Sequence, residues 1–301
     1  MLSNSTVAPV LALLLNALVW GVSWWPLKQL QNLGVHPLWA TAVIYLVVAV
    51  VVGIWRPGAV RLLARTPSLW WILIASGFTN AAFNWAVGIG DVVRAVLLFY
   101  LMPLWSLPLA RLLLQERMTA PAVLRAMLTV IGAAFVLVQP GASAQASLGS
   151  PAQPVLADVL ATLSGFAFAL NTVMLRRGAA LPSEGRAMAM FLGGAMIAGT
   201  AAIAFSSGTA AATMGVGFPS ASGPGLVLVA GLAATFLASN LCLQFGAARL
   251  TARVTAVVMP CEVVFAAATA VWWGGVAVHA GLMVGGALIL SAAFASVLGR
   301  R

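Results

Sequence analysis

Ten times along this 301-residue chain an apolar run of about 20 residues appears between short breaks rich in charge, proline or glycine. A run of that length is what a helix needs to cross the hydrocarbon core of a bilayer, and no single water-soluble domain can bury ten of them. The runs cover Val7–Pro26, Pro37–Trp55, Ser68–Gly88, Val92–Leu114, Thr119–Gln139, Val155–Leu175, Glu184–Ser206, Pro224–Gly246, Ala252–Trp273 and Val276–Leu298. Only 7% of the residues are charged and 62% are hydrophobic, so lipid must solvate most of the chain, which excludes cytosolic enzymes and nucleic-acid binders. The first run has no basic n-region and no small-residue cleavage site, and is expected to remain in the mature protein. Cys242 and Cys261 both lie inside apolar runs, where packing is the expected role.

The few charges are informative by position. With the N-terminus inside, Arg56, Arg61, Arg65, Arg111, Arg117, Arg125, Arg176, Arg177, Arg186, Arg249, Arg253, Arg300 and Arg301 all fall on the cytoplasmic side, leaving only Lys28 and Arg94 of the 15 cations outside. This asymmetry predicts both termini in the cytoplasm, and gaining or losing one span would scramble it. Arg94, Arg111 and Arg125 lie near enough to span ends to snorkel. Asp91 and Asp158 are expected to complement the dipoles of outer helix starts. Trp24, Trp25, Trp39, Trp55, Trp70, Trp71, Trp272 and Trp273 sit near span ends, as interfacial rings do; Trp20, Trp85 and Trp105 are deeper and either pack between helices or line a cavity.

The halves of the chain repeat one another. AVLLFYLMP at 95–103 in the fourth run answers to ARVTAVVMP at 252–260 in the ninth, and Ala133-Ala134-Phe135 to Ala292-Ala293-Phe294 at nearly the same offset. Asn16, Trp20 and Ser23 have the spacing of Ser164, Phe168 and Asn171. Five spans per half is an odd number, so the halves would insert with opposite orientations. The predicted fold is all-α and polytopic: ten transmembrane helices as two inverted five-helix repeats around a central cavity, residues 1–140 and 154–301, joined by an uncharged outer linker at 141–153.

Polar groups at membrane depth are the candidate site, because an unsatisfied one in hydrocarbon is costly. Asn16, Trp20 and Ser23 share one face of the first run; Gly77, Asn80, Asn84 and Gly88 form a stripe in the third, with Trp85 beside it. Ser164, Phe168 and Asn171 share a face of the sixth, and Asn240 and Gln244 one of the eighth. Either these groups bond between helices, or together they line a cavity. Pro103 and Pro260 each remove a backbone donor in mid-span, freeing the carbonyls of Phe99 and Ala256, and are candidate hinges. Those carbonyls and the amides could receive a substrate ammonium, with Tyr100, Trp105, Trp20 and Phe168 around its apolar part. Glu262 is the only acid deep in a span, roughly 15 Å in, and reads as a proton-coupling or a structural carboxylate. The last run carries Gly281, Gly285, Ala287, Ser291 and Ala295 on a smooth face suited to close packing within the chain.

Absences narrow the function further. The sequence has no Walker A run to bind ATP, and no deep Lys or Arg to hold a phosphate. His36 and His279, at span ends, offer neither a protease dyad nor a metal site. No enzyme activity, cofactor, metal or nucleic-acid partner is expected.

The stretch from Ala95 to Val138, AVLLFYLMPLWSLPLARLLLQERMTAPAVLRAMLTVIGAAFVLV, with Pro103, Glu116 and Gly132, resembles the EamA-type branch of the drug/metabolite transporter superfamily. The second half keeps Pro260 but has Trp273-Gly274 where that family often carries Gly-Glu. Within the branch the chain looks most like the YddG-type aromatic amino acid exporters. The resemblance implies a secondary transporter that exports amino acids or related small metabolites across a bacterial inner membrane by alternating access. A passive channel and a broad drug or metabolite efflux carrier are the alternatives. The partners expected are the small-molecule substrate and membrane lipid, with the chain acting as a monomer.

Overall fold

The computed structural model describes residues 4–89, 92–137, 152–207, 216–219, 222–274 and 280–298. Every regular element among them is a helix: α1 (Asn4–Asn32), α2 (Pro37–Trp55), α3 (Gly58–Arg65), α4 (Pro67–Ile89), α5 (Val92–Phe99), α6 (Met102–Leu114), α7 (Ala120–Leu137), α8 (Ala152–Arg177), α9 (Ser183–Phe205), α10 (Gly223–Arg249), α11 (Ala252–Val258), α12 (Cys261–Gly274) and α13 (Ala280–Leu298). Six segments, Val7–Asn32, Pro37–Trp55, Val155–Arg177, Ser183–Phe205, Gly223–Arg249 and Ala252–Trp273, are long and apolar enough to cross a membrane. Met102–Leu114, Ala120–Phe135 and Met283–Ala295 are shorter apolar helices. Large apolar side chains such as Ile54, Leu112, Val227 and Phe294 stand exposed around the outside, a surface that lipid can solvate and water cannot.

Local chemistry sets the ends. Pro37 opens α2, and His36 Nδ1 caps it by accepting from the Leu38 N–H at 3.2 Å. Partial burial holds the His36 pKa below its ordinary 6.5, so the neutral, accepting imidazole is the capping form. Ser222 and Thr251 cap α10 and α11 in the same way. At the end of α6, Gln115 turns left-handed, and both its N–H and that of Glu116 return to the carbonyl of Ala110.

The structure departs from or adds to the sequence reading in three places. The first helix extends past Pro26 to Asn32. A short amphipathic helix, α3, fills the loop after α2, with Ala59 and Leu63 buried four residues apart and Arg61 and Arg65 exposed. The fourth and ninth spans are each broken in the middle, at Tyr100-Leu101 and at Met259-Pro260, because neither Pro103 nor Pro260 can donate to the preceding turn. Most of the linker, with Asp91, His279, Arg300 and Arg301, lies outside the described residues.

Packing runs across the chain more than along it. α1 packs on α10 and α12, while α8 packs on α4, α5 and α6; α2 pairs with α9, and α7 with α13. Missing side chains permit these approaches. A β-carbon on Gly77 of α4 would collide with the Gly193 carbonyl oxygen of α9, and one on Gly193 with that of Leu73. Gly77 therefore serves the contact between α4 and α9. Gly132 meets the Gly285 carbonyl in the same manner, which seats the small-residue face of α13 on α7.

Candidate functional site

Near the middle of the bundle, residues of α1, α2, α4, α5, α8, α9, α10 and α12 line a space of about 710 Å³, including the part open to solvent. Eight residues singled out in the sequence meet there: Asn16, Trp20, Asn80, Asn84, Phe168, Asn171, Asn240 and Glu262. They come from α1, α4, α8, α10 and α12, so helices distant in the chain build one cavity.

The amides are held rather than loose. Asn16 Nδ2 donates to Ser239 O at 3.0 Å and to Ser239 Oγ at 2.6 Å, tying α1 to α10. Asn80 Oδ1 accepts from the Tyr45 hydroxyl at 2.7 Å, while its Nδ2 donates to Ser76 O at 2.8 Å. Asn84 Nδ2 donates to the Thr41 hydroxyl. Asn240 Nδ2 reaches the Met190 sulfur, and Asn240 Oδ1 accepts from Gln244 Nε2 at 2.7 Å. Fixed polar groups of this kind orient a ligand without reorganising when it arrives.

Aromatic rings form the rest of the wall. Trp20 stacks on Phe236 with centroids 4.6 Å apart and planes 20° apart, and Phe99 meets Phe83 at 4.8 Å and Phe168 at 5.6 Å. Tyr45 packs against Phe191 at 5.3 Å. Glu262 lies in the first turn of α12, directly after the second break, and accepts a hydrogen bond from the Tyr100 hydroxyl beside the first. The two breaks are thus joined at the cavity by one phenol–carboxylate contact.

Five candidates lie off the wall. Ser23 Oγ donates to Trp20 O and Ser164 Oγ to Ala161 O, each satisfied within its own helix. Tyr100 is buried behind Glu262. Trp105 is 37% exposed and meets the ring of Phe166 edge-on, because it continues the outer face of α6. Gln244 sits one turn from Asn240 and accepts from Arg186 Nε at 3.3 Å, so it braces the site from behind. Arg186 is buried and also donates to the carbonyls of Gly178 and Ala179. Trp85, the third deep tryptophan, packs on Phe205. Trp24 donates to Thr269 Oγ1 at 3.1 Å and joins α1 to α12, beyond the interfacial role expected of it. Arg125 donates to the Ala295 carbonyl at 2.9 Å, linking α7 to α13.

The sequence reading missed Tyr45, Ser76, Thr79, Phe83, Met190, Phe191, Phe236, Leu243 and Met259 on the wall. Ser76, Thr79, Asn80 and Phe83 follow i, i+3, i+4, i+7 spacing, a stripe that could have been extended from the two asparagines. Tyr45, one of the two tyrosines in the chain, lines the wall, while Tyr100 stands behind Glu262. Of the two carbonyls freed by proline, that of Phe99 is met by helix backbone: a β-carbon on Gly165 of α8 would stand 2.5 Å from its oxygen. Ala256 is buried.

Comparison with known proteins agrees with this architecture. No curated protein matches the sequence. Among the solved structures that match, one crystal structure does so over 100% of both chains at 21% identity with a TM-score of 0.74, a likeness that shows the fold. The model of the EamA-like transporter family matches residues 7–138, which include α1 to α7 from Val7 onward and the first broken span. That match covers a little less than half of the chain, and the described residues form an all-helical protein with six segments long and apolar enough to cross a membrane.

Proposed function

We propose that the chain is a secondary transporter that exports amino acids, aromatic or otherwise neutral, or closely related metabolites, across the bacterial inner membrane by alternating access. The observation that carries this reading is the cavity itself: buried amides, aromatic rings and one carboxylate converge on it from helices of both halves. The packing supports a division into two inverted repeats. Exchanging α1 with α8, α4 with α10 and α6 with α12 maps the contacts of α1 onto those of α8, while the pairs α2–α9 and α7–α13 map onto themselves. In this reading the halves rock about the cavity and bend at Tyr100-Leu101 and at Met259-Pro260. Both termini are cytoplasmic, as the arginine distribution asks. Glu262 can carry a coupling proton, since it faces the cavity from the first turn after a break.

The test is counterflow. Purified protein in proteoliposomes loaded with unlabelled phenylalanine should drive saturable uptake of labelled phenylalanine, and an outward-directed amino acid gradient should be discharged faster across an imposed pH gradient. A passive channel would give unsaturable flux without counterflow. Glu262→Gln should keep counterflow and lose the response to pH; full activity with an intact pH response in that variant would remove the proton role.

A further inference from the structure

The wall of the cavity holds unpaired acceptors and a carboxylate. Two of its amide oxygens are buried and have no partner: Asn16 Oδ1, whose Nδ2 is committed to Ser239, and Asn171 Oδ1. Glu262 supplies a carboxylate on the same wall. Asn80, Asn84 and Asn240 each turn one of their two amide hydrogens back into the protein. Among the described residues, no lysine, arginine or histidine lines the space. An acceptor left unpaired in a low-dielectric interior is costly until a donor reaches it, and aromatic faces add further attraction for a cation.

We propose that the preferred cargo of this cavity is an amine with one positive charge on an apolar, aromatic-sized body, and that a carboxylate on the cargo weakens its binding. The proposal rests on the transport reading and sharpens it, because it ranks the amine or the amino acid ester above the free amino acid. The ammonium supplies hydrogens to Asn16 Oδ1, Asn171 Oδ1 and Glu262. The carboxylate of a zwitterion would have to lose its water with no cation to meet it and with Glu262 nearby, which is the expensive case for a buried charge.

A matched series decides this: phenethylamine, phenylalanine methyl ester, phenylalanine and 3-phenylpropionate, each competing at neutral pH for counterflow in proteoliposomes and each tested for thermal stabilisation of the detergent-solubilised protein. The expected order is amine and ester first, phenylalanine about tenfold weaker, and phenylpropionate weakest, as unpaired buried charge predicts. Glu262→Gln should shrink the gap between ester and amino acid to within about threefold, and Asn171→Leu should weaken the amine and spare the acid. Phenylalanine competing as well as its ester overturns the charge rule and leaves the transport reading standing. No counterflow and no stabilisation with any of the four overturns both. If a variant fails to fold, the wild-type series still decides.

Discussion

The two broken spans begin from the same sequence pattern and end with opposite chemistry. Each carries Met-Pro at its centre. Two residues beyond the proline, the first has Trp105 and the second Glu262; thirteen residues beyond it, the first has Glu116 and the second Trp273. Carboxylate and indole have exchanged places. Trp105 faces outward and Glu262 faces the cavity. Glu116 pairs with Arg253 at 3.3 Å, while Trp273 is 58% exposed. The shared Met-Pro sets where the backbone bends, and the residues around it decide which half offers charge to the cavity and which offers it to a loop. If the chain is two repeats, as proposed, its function is to be sought where the halves differ.

The largest effects should come from breaking the close approach beside each bend. Gly165 of α8 lies against the Phe99 carbonyl before the first break, and a β-carbon there would be 2.5 Å from its oxygen. Gly21 of α1 lies against the Glu262 carbonyl after the second, at 2.8 Å. Both contacts are with backbone, which has little room to yield. Gly165→Ala should cost about 1–3 kcal/mol by overpacking, and Gly21→Ala somewhat less. Gly231→Ala, on an open helix face with nothing near, should be neutral or gain up to about 1 kcal/mol. Thermal unfolding in detergent reads all three, and equal stability of Gly165→Ala and Gly231→Ala would mean that α8 and α5 are not in contact.

Next come the prolines. Pro103→Ala and Pro260→Ala each restore a backbone donor and straighten a span. If the acid after the second bend serves the cavity, Pro260→Ala should lower apparent substrate affinity about tenfold, and Pro103→Ala no more than about threefold, because only the former displaces Glu262. Equal effects would say that the bends act as hinges alone and that the exchange of carboxylate and indole is incidental to binding.

How far the sequence discloses this molecule follows from the solvent. Lipid imposes a length and an apolar composition on every crossing helix, so most spans, and the two Met-Pro bends within them, are legible in the order of residues alone. Lipid also erases the contrast by which a core is normally recognised. Phe166 is exposed and Phe168 lines the cavity, yet the two are alike in hydropathy and stand two residues apart. Trp20 and Trp105 differ in the same way. Asparagines are legible because an amide has few ways to be satisfied alone in a helix. Ser23 and Ser164 mislead because a hydroxyl satisfies itself against its own backbone. The helix α3 escapes notice because two buried residues in eight are too short a period to see.

The smallest effects concern the other member of the exchange. Glu116 Oε2 accepts from Arg253 Nε, and its Oε1 accepts from the Ala252 N–H at the start of α11, both at 3.3 Å. Arg253 also donates to the Arg117 carbonyl at 2.8 Å. The ion pair is partly exposed and should contribute under about 1 kcal/mol. The carboxylate at a helix start adds about 0.3–1 kcal/mol of its own. Glu116→Ala should therefore destabilise more than Arg253→Ala, with a coupling energy below about 1 kcal/mol in the double-mutant cycle. Trp273→Phe should leave stability within about 0.5 kcal/mol, as a lone exposed ring predicts. If Arg253→Ala proved the costlier of the two, Glu116 would be a counter-ion only, and the second broken span would begin without help from the first half.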